Sequence, residues 1–308
     1  MTARQGNGVH DLKNGINGMR RVSAVLVTTG AVLAAGAFAA PAQAATLKTP
    51  TITAKGGYVM NNGTAKSLFT KAADTRLSTG STTKIMTARV VLAQPNLNLD
   101  SKVTIQKAYS DYIVDNNWAS SARLIVGDKV TVRQLLYGLM LPSGCDAAYA
   151  LADKFGSGST RAARVKSFIG KMNSTAQSLG LKNTHFDSFD GIGKGANYST
   201  PRDLTKIASS AMKYSTFRTV VKTKSTKQKV TTKSGGYRYM NWSNTNNLLG
   251  SYSGTIGVKT GSGPEAKYCL VFAATRSGKT VIGTVLASSS VANRTADAKK
   301  LMDYGFKK

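Results

Sequence analysis

Patterns typical of β-strands lie at both ends of the chain, while helical patterns fill its middle. Residues 268–274 and 280–286 are nearly continuous apolar runs joined near Ser277-Gly278, as expected for strands that are covered on both faces. Residues 57–70 indicate another strand pair, which turns at the hairpin-forming dipeptide Asn62-Gly63. Because strands from the two ends can pair in one antiparallel sheet with helices on its faces, the sequence predicts an α/β protein of the α+β type.

The helices are predicted from apolar residues that recur at helical spacing. In the segment 131–140, for example, Leu135, Leu136 and Leu139 fall on one face. A Pro-Ser-Gly break at residues 142–144 separates this helix from the next one. The predicted helices span residues 82–93, 131–140, 146–155, 162–179, 204–213 and 291–304, and short strands are predicted at residues 99–104 and 255–258.

The start of the chain has the pattern of an export leader. Arg20-Arg21 precedes an apolar stretch at residues 22–40, and Ala42-Gln43-Ala44 has the small residues of a cleavage site. We predict a signal peptide at residues 1–44 and a secreted or cell-wall-associated mature protein of one domain, residues 45–308. An uncleaved N-terminal anchor is the alternative, because the apolar stretch approaches membrane-spanning length. No later run is long and apolar enough, so we expect no transmembrane span in the mature chain.

The chain is strongly basic, with a formal net charge of +28 at pH 7. Such a charge attracts anionic polymers over long distances, which outside a cell are wall polymers, anionic lipids or nucleic acid. The positive residues are spread out, with one denser stretch at residues 222–233, and no helix-turn-helix, zinc-finger or RNP-type pattern is present. We therefore expect retention by anionic wall polymers and no specific nucleic-acid partner.

Rare residue types narrow the possible chemistry. The two histidines are His10, which precedes the leader's apolar core, and His185. A His-rich zinc site is thus excluded from the mature chain, and a Ser-His-Asp triad could use only His185. Glu265 is the single glutamate, which excludes a pair of catalytic glutamates, while Cys145 and Cys269 could form at most one disulfide. We predict neither a metal nor an organic cofactor.

Ser81-Thr82-Thr83-Lys84 opens the first predicted helix. Residues three apart are separated by about 300° around a helix, so both side chains share one face. A serine is a weak nucleophile until its proton is removed, and a neutral amine one turn away can remove it. Free N–H groups at the helix start could stabilise an oxyanion beside Ser81. Read alone, however, the same residues describe an N-cap serine and a solvated lysine.

Two further motifs support the active serine. Ser143-Gly144-Cys145 lies in the break between two predicted helices, and Lys259-Thr260-Gly261 closes a predicted strand. Ser-x-x-Lys, Ser-x-Asn and Lys-Thr-Gly, in this order, are typical of penicillin-binding proteins and serine β-lactamases. The chain resembles the low-molecular-weight penicillin-binding proteins, the D-alanyl-D-alanine carboxypeptidase and transpeptidase family, from about residue 57 to residue 306. This resemblance implies an antiparallel sheet flanked by helices, an all-helical region, and an active site at their junction.

The resemblance implies a catalytic role for three side chains. Ser81 would be the nucleophile and Lys84 its base. Ser143 would relay a proton to the departing D-alanine nitrogen, bridging toward Lys84 or Lys259. Crowding of these lysines should lower the pKa of at least one of them by mutual repulsion.

It also implies the residues that bind the substrate. Lys259 and Thr260 would hold the terminal carboxylate of the peptide. Gly261 would leave the strand edge bare, so that the peptide backbone can approach. The oxyanion hole would consist of the backbone N–H groups of Ser81 and Ser262.

Cys145 is a departure from the family, which usually has asparagine at this position. An asparagine would hydrogen-bond the substrate amide and steady the lysine, and a cysteine does both less well. We keep Cys145 among the substrate-binding residues and expect lower activity or an altered response to penicillin. Because Cys145 begins a helix, where the pKa of a thiol is lowered, a second nucleophile is the alternative interpretation.

The resemblance implies peptidoglycan stem peptides ending in D-Ala-D-Ala as substrate, transfer to water or an amine, and covalent inhibition by β-lactams. A β-lactamase or esterase on the same scaffold, or a catalytically weak wall-binding protein, are the alternatives. Residues 146–258 lack the glutamate with which class A β-lactamases activate water, so we expect slow loss of a penicilloyl group.

Since Lys308 directly follows the closing helix, we expect neither the C-terminal domain nor the amphipathic anchor of some members.

Overall fold

The computed structural model describes residues 47–193 and 195–308. The signal peptide predicted at residues 1–44 lies outside the described residues, and it stays a prediction together with the domain boundary. Among the residues that are described, no helix has the length and apolar character needed to cross a membrane.

Strands and helices alternate in groups along the chain. The strands are β1 (Gly56–Asn61), β2 (Ser67–Lys71), β3 (Lys102–Thr104), β4 (Lys129–Thr131), β5 (Ser225–Thr231), β6 (Tyr237–Ser243), β7 (Thr255–Gly263), β8 (Lys267–Arg276) and β9 (Lys279–Ser288). The helices are α1 (Lys84–Leu92), α2 (Lys107–Asp115), α3 (Val132–Met140), α4 (Cys145–Phe155), α5 (Arg161–Ser178), α6 (Pro201–Ala211), α7 (Ser215–Lys222) and α8 (Val291–Lys307). A 3-10 turn at Gly80–Thr83 precedes α1.

The main sheet joins strands from both ends of the chain, as predicted. It has five antiparallel strands in the order β2-β1-β9-β8-β7, and β1 pairs with β9. Successive residues of β8 face opposite sides, since Phe272 packs in one core cluster with Leu301 of α8. Val271 belongs to the other cluster, together with Leu204 of α6. Both faces of the sheet are thus covered by helices, which explains the continuous apolar runs of its strands.

A second sheet was not predicted from the sequence. Strands β3, β4, β5 and β6 form a four-stranded antiparallel sheet next to the helices. Val230 is the one fully buried residue of β5, whose other residues are lysine, threonine, serine and glutamine. These residue types have low or mixed strand propensity, so neither periodicity nor composition indicated a strand. The antiparallel sheet flanked by helices is confirmed, and the helical middle of the chain contains a small second sheet in addition.

Candidate active site

Ser81 and Lys84 meet at the junction of the 3-10 turn and α1. Ser81 lies in the turn, and Lys84 is the first residue of α1. The Nζ of Lys84 donates a hydrogen bond to the Oγ of Ser81 at 2.7 Å, because side chains three residues apart nearly eclipse in a 3-10 turn. Lys84 is fully buried, whereas Ser81 is half-buried. The predicted contact between nucleophile and amine is formed.

Two further groups complete the surroundings of the Lys84 amine. Its Nζ lies 3.3 Å from the Sγ of Cys145 and 3.1 Å from the backbone oxygen of Asp190. Three acceptors therefore match the three donors of an ammonium group. In the neutral form, the same amine could accept the proton of Ser81 across the same distance.

Cys145 is held as a neutral thiol. Burial raises its pKa to about 11, although the nearby Lys84 charge acts in the opposite direction. Its position at the start of α4 does not outweigh burial, so the thiol lacks the lowered pKa on which the second-nucleophile alternative depends. Cys145 and Cys269 are both buried and free, and no disulfide joins them.

Ser143 lies in the same cluster but does not bridge to a lysine. Its backbone has a φ of 67°, in the left-handed region, and its carbonyl oxygen accepts a hydrogen bond of 2.5 Å from the Oγ of Ser120. Within the described residues, the buried Oγ of Ser143 has no hydrogen-bond partner. The bridge expected toward Lys84 or Lys259 is therefore absent, and Cys145 contacts Lys84 instead.

Lys259 is the second buried amine, and its Nζ donates to the backbone oxygen of Thr260 at 3.0 Å. Burial holds its pKa well below the usual range, and the Lys84 charge lowers it further. The predicted repulsion between lysines is thus confirmed in direction, but burial is the larger cause. Thr260 is tied to the neighbouring loop by a 2.6 Å hydrogen bond between its Oγ1 and that of Thr245.

Gly261 allows β7 to pack against the turn that carries Ser81. A Cβ on Gly261 would lie 2.8 Å from the backbone oxygen of Thr79, closer than side chains tolerate. Gly80 has the same relation to Ser262, since a Cβ there would lie 2.8 Å from the Ser262 oxygen. Gly261 was expected to leave room for the substrate backbone, and its missing side chain also leaves room for the turn that carries Ser81.

The cleft beside Ser81 has a volume of about 250 Å³. Its walls come from the 3-10 turn, the loop after α2, the loop after α5 and the β7–β8 turn. They include Ser81, Trp118, Ile192, Asn197, Ser262, Pro264 and Glu265. Within the described residues, no group of three His, Cys, Asp or Glu side chains could hold a metal ion.

Asp190 is a site residue that sequence reasoning missed. Its carboxylate accepts hydrogen bonds from the Tyr112 hydroxyl at 3.0 Å and from the Ile192 N–H at 2.9 Å. These bonds fix the loop whose backbone oxygen contacts Lys84. An Asp-Gly dipeptide after an apolar residue signals a turn, but nothing local showed that this turn lies over Lys84.

Arg294 was also missed. It is a buried residue of α8, and its charge adds to the lowering of the Lys259 pKa. Its Nη1 lies 3.5 Å from the backbone oxygen of Cys269, and its Nε has no partner among the described residues. Helical spacing could have signalled it, because Arg294 shares a face with the buried Asp297 and Leu301.

The comparisons with known proteins agree with this geometry. The family described as D-alanyl-D-alanine carboxypeptidase, peptidase S11, matches residues 43–290. The chain is 75% identical over 289 residues to the D-alanyl-D-alanine carboxypeptidase of Streptomyces sp. strain K15, covering 94% of this chain and 99% of that protein.

Solved structures give the same result. The crystal structure of the Streptomyces K15 DD-transpeptidase matches with a TM-score of 0.84 and 79% identity, over 85% of this chain and all (100%) of that one. The D-alanyl-D-alanine carboxypeptidase DacD of Francisella tularensis matches with a TM-score of 0.73 and 27% identity, over 84% of this chain and 71% of that one. The chain therefore belongs to the D-alanyl-D-alanine carboxypeptidase family of serine peptidases.

Proposed function

We propose that the protein cleaves the terminal D-Ala-D-Ala bond of peptidoglycan stem peptides through an ester on Ser81, acting as a carboxypeptidase and transpeptidase. The observation that carries the proposal is the 2.7 Å contact between the Nζ of Lys84 and the Oγ of Ser81 at an open cleft. A buried amine next to a half-buried hydroxyl is the arrangement that nucleophilic catalysis needs. The names of the family and of the K15 relative supply the substrate class.

Acylation follows from the positions of three side chains. The Oγ of Ser81 attacks the carbonyl carbon between the two D-alanines, and its proton passes to neutral Lys84. The carbon–nitrogen bond then breaks, and the leaving nitrogen takes a proton. Because the Oγ of Ser143 has no partner among the described residues, it is available to hydrogen-bond this nitrogen once substrate is bound. In this scheme Ser143 gives its hydroxyl proton to the nitrogen and takes the proton that Lys84 received from Ser81, so that both side chains return to their starting forms.

Recognition of the substrate carboxylate falls to Lys259 and Thr260. When a substrate carboxylate lies beside Lys259, it favours the ammonium form of this lysine and so raises the lowered pKa of Lys259 again. We therefore expect that substrate binding takes up protons in the pH range where the empty site holds a neutral amine. The backbone N–H groups of Ser81 and Ser262 would bind the oxyanion, and the packing of Gly80 against Ser262 brings the two segments together.

The acyl-enzyme is resolved by water or by an amine, and both routes return the Ser81 hydroxyl. A β-lactam acylates Ser81 in the same way, but its ring-opened leaving group stays attached. No glutamate occurs in residues 146–258 to activate water, so we expect a long-lived penicilloyl adduct.

Labelling with a fluorescent penicillin tests the nucleophile. We expect stable labelling of the wild type, and a loss of at least about 1,000-fold in the labelling rate of Ser81→Ala. Ser174→Ala, which changes an exposed serine of α5, should label like the wild type. Labelling that persists in Ser81→Ala contradicts the proposal, and rapid turnover of the penicillin would identify a β-lactamase.

Mass spectrometry of the products from a D-Ala-D-Ala peptide tests the reaction itself. We expect release of D-alanine in water and an additional amide product when a glycyl acceptor is present. Stable penicillin labelling without any D-alanine release would instead identify a catalytically weak wall protein.

We propose further that the protein is exported and retained by anionic wall polymers. The outward face of the small sheet carries the exposed residues Lys102, Lys129, Lys227 and Lys229. The Nζ atoms of Lys227 and Lys229 lie 4.3 and 4.0 Å above the rings of Tyr239 and Tyr237. The strands β3 to β6 contain no aspartate or glutamate, so this face attracts polyanions.

Binding to a purified phosphate-bearing wall polymer tests this retention. Lys227→Gln/Lys229→Gln should weaken binding by about 30-fold at low salt, because each lysine near an anionic surface contributes about 1 kcal/mol. The control Lys300→Gln/Lys307→Gln removes the same charge from exposed positions of α8. Equal losses in both variants would show that net charge, rather than this face, is responsible.

A further inference from the structure

Glu265 has an unusual position for the single glutamate of a chain with a net charge of +28. It lies in the turn between β7 and β8, is exposed, and lines the same cleft as Ser81. Most aspartates of the described chain serve structure, as Asp74 does in its 2.7 Å ion pair with Arg202. Glu265 makes no ion pair or hydrogen bond with any other residue that the structure describes, so its carboxylate is available to a ligand.

Trp118 is the second group at the entrance of the cleft. Its side chain is 70% exposed, which is unusual for an indole, and it lines the cleft together with Glu265. A carboxylate and the face of an aromatic ring both attract cations. The amines of Lys84 and Lys259 are buried beneath the cleft surface, where Lys84 contacts Ser81. Glu265 and Trp118 line the surface itself, so a ligand in the cleft meets groups that attract cations.

We propose that Glu265, together with Trp118, binds the ammonium group of the amine acceptor and so directs the acyl-enzyme toward transfer rather than hydrolysis. This inference rests on the proposed function, because it requires an acyl group on Ser81. The buried lysines suit the carboxylate of the donor peptide, which leaves the carboxylate of Glu265 to a ligand of positive charge. At neutral pH, that description fits a primary amine acceptor.

The transfer step balances without any additional reagent. The bound ammonium group releases one proton to water and attacks the ester carbon as a neutral amine. A carbon–nitrogen bond forms and the bond between that carbon and the Oγ of Ser81 breaks. The proton that the nitrogen then loses returns to the Ser81 oxygen. Glu265 takes no part in these bond changes; it raises the local concentration of the acceptor.

Two acceptors of different charge provide the test. A glycyl dipeptide amide is largely an ammonium ion at pH 7, whereas methoxyamine is uncharged. The donor is a D-Ala-D-Ala peptide, and transfer is followed by mass spectrometry against acceptor concentration. For Glu265→Gln, we expect the half-saturating concentration of the glycyl acceptor to rise about three- to fivefold, the range of an exposed ion pair. That of methoxyamine should change less than twofold.

Charge reversal sharpens the test. Glu265→Lys should raise the half-saturating glycyl concentration about tenfold, since it replaces an attraction of this size with a repulsion. Asp100→Asn is the matched control, because it removes an exposed carboxylate that does not line the cleft.

The outcomes separate the two proposals. An equal loss with both acceptors, or no change with either, overturns the role of Glu265. If the wild type releases no D-alanine and takes up no penicillin label, the proposed function itself fails.

Discussion

Lys259 is the residue where stability and function conflict most directly. Its amine is buried and its pKa is held well below the usual range by burial and by the nearby Lys84 charge. Between this lowered pKa and the unfolded value of about 10.4, the unfolded chain binds more protons than the folded one. The contribution of Lys259 therefore destabilises the fold most at low pH, and the penalty disappears as the pH rises through this window.

We predict that Lys259→Met stabilises the protein by about 1–3 kcal/mol at the low end of this window. The advantage over the wild type should shrink steadily as the pH rises and reach zero only above the unfolded pKa of about 10.4, where the wild-type amine is neutral in both states. Urea unfolding of both proteins at several pH values measures this difference. Release of D-alanine should be lost, since the substrate carboxylate loses its cation.

Lys267→Met is the control, because Lys267 is exposed on the neighbouring strand. It should change stability by less than about 0.5 kcal/mol at every pH. An advantage of Lys259→Met that stays constant with pH would contradict the burial of a titrating amine.

Strand β7 and the 3-10 turn are the two secondary-structure elements that hold the nucleophile and the substrate-binding residues together. The turn carries Ser81, the strand carries Lys259 and Thr260, and Gly261 is one of the points where the strand packs closely against the segment of the turn. The separation of nucleophile and substrate-binding residues is therefore set by a contact between backbones. Such a contact has no flexible side chain that could absorb an added methyl group.

We predict that Gly261→Ala displaces β7 from the turn, slows penicillin labelling by at least about tenfold, and costs about 1–3 kcal/mol. Its Cβ would lie 2.8 Å from the Thr79 oxygen. Gly263→Ala is the matched control two residues later, where the nearest contact of a Cβ would be 3.9 Å. Equal labelling rates in the two variants would show that the Gly261 contact does not set the site.

Among the helices and strands, the sequence predicted those whose apolar residues recur with a clear period. The hairpin of β1 and β2, the apolar strands β8 and β9, and the helix α3 were predicted within a few residues of their bounds. Strand β5 was missed because it buries a single residue fully. Its partner β4 is distant in sequence, and although β6 follows in a hairpin, the polar residues of β5 give no apolar alternation that would indicate a strand.

At the scale of the whole molecule, Asp297 ties the two ends of the described chain together. Its carboxylate accepts hydrogen bonds from the backbone N–H groups of Thr53 and Ala54, the latter at 2.8 Å, and from the Thr53 hydroxyl. The residue is buried in α8, and its partners lie 243 and 244 positions earlier. Loss of the carboxylate would leave buried N–H groups without acceptors.

We predict that Asp297→Ala costs about 2–4 kcal/mol and lowers the melting temperature by about 5–10 °C. Asp303→Ala is the control on the same helix, because within the described part of the chain its exposed carboxylate has only Tyr252 and Arg276 as partners. Calorimetry of the two variants compares them directly. Similar melting temperatures would show that the tie between the two ends contributes little.

The sequence by itself determined the chemistry, the order of the motifs and the main sheet. Ser81, Lys84 and Lys259 were identified because reactive residue types at fixed spacing leave a local signature. The tertiary structure decided the environment of these residues: the neutral thiol of Cys145, the unpartnered hydroxyl of Ser143 and the Asp190 loop over Lys84. Burial and contact between distant segments set pKa values and hydrogen bonds, and neither is encoded in any short stretch of the chain.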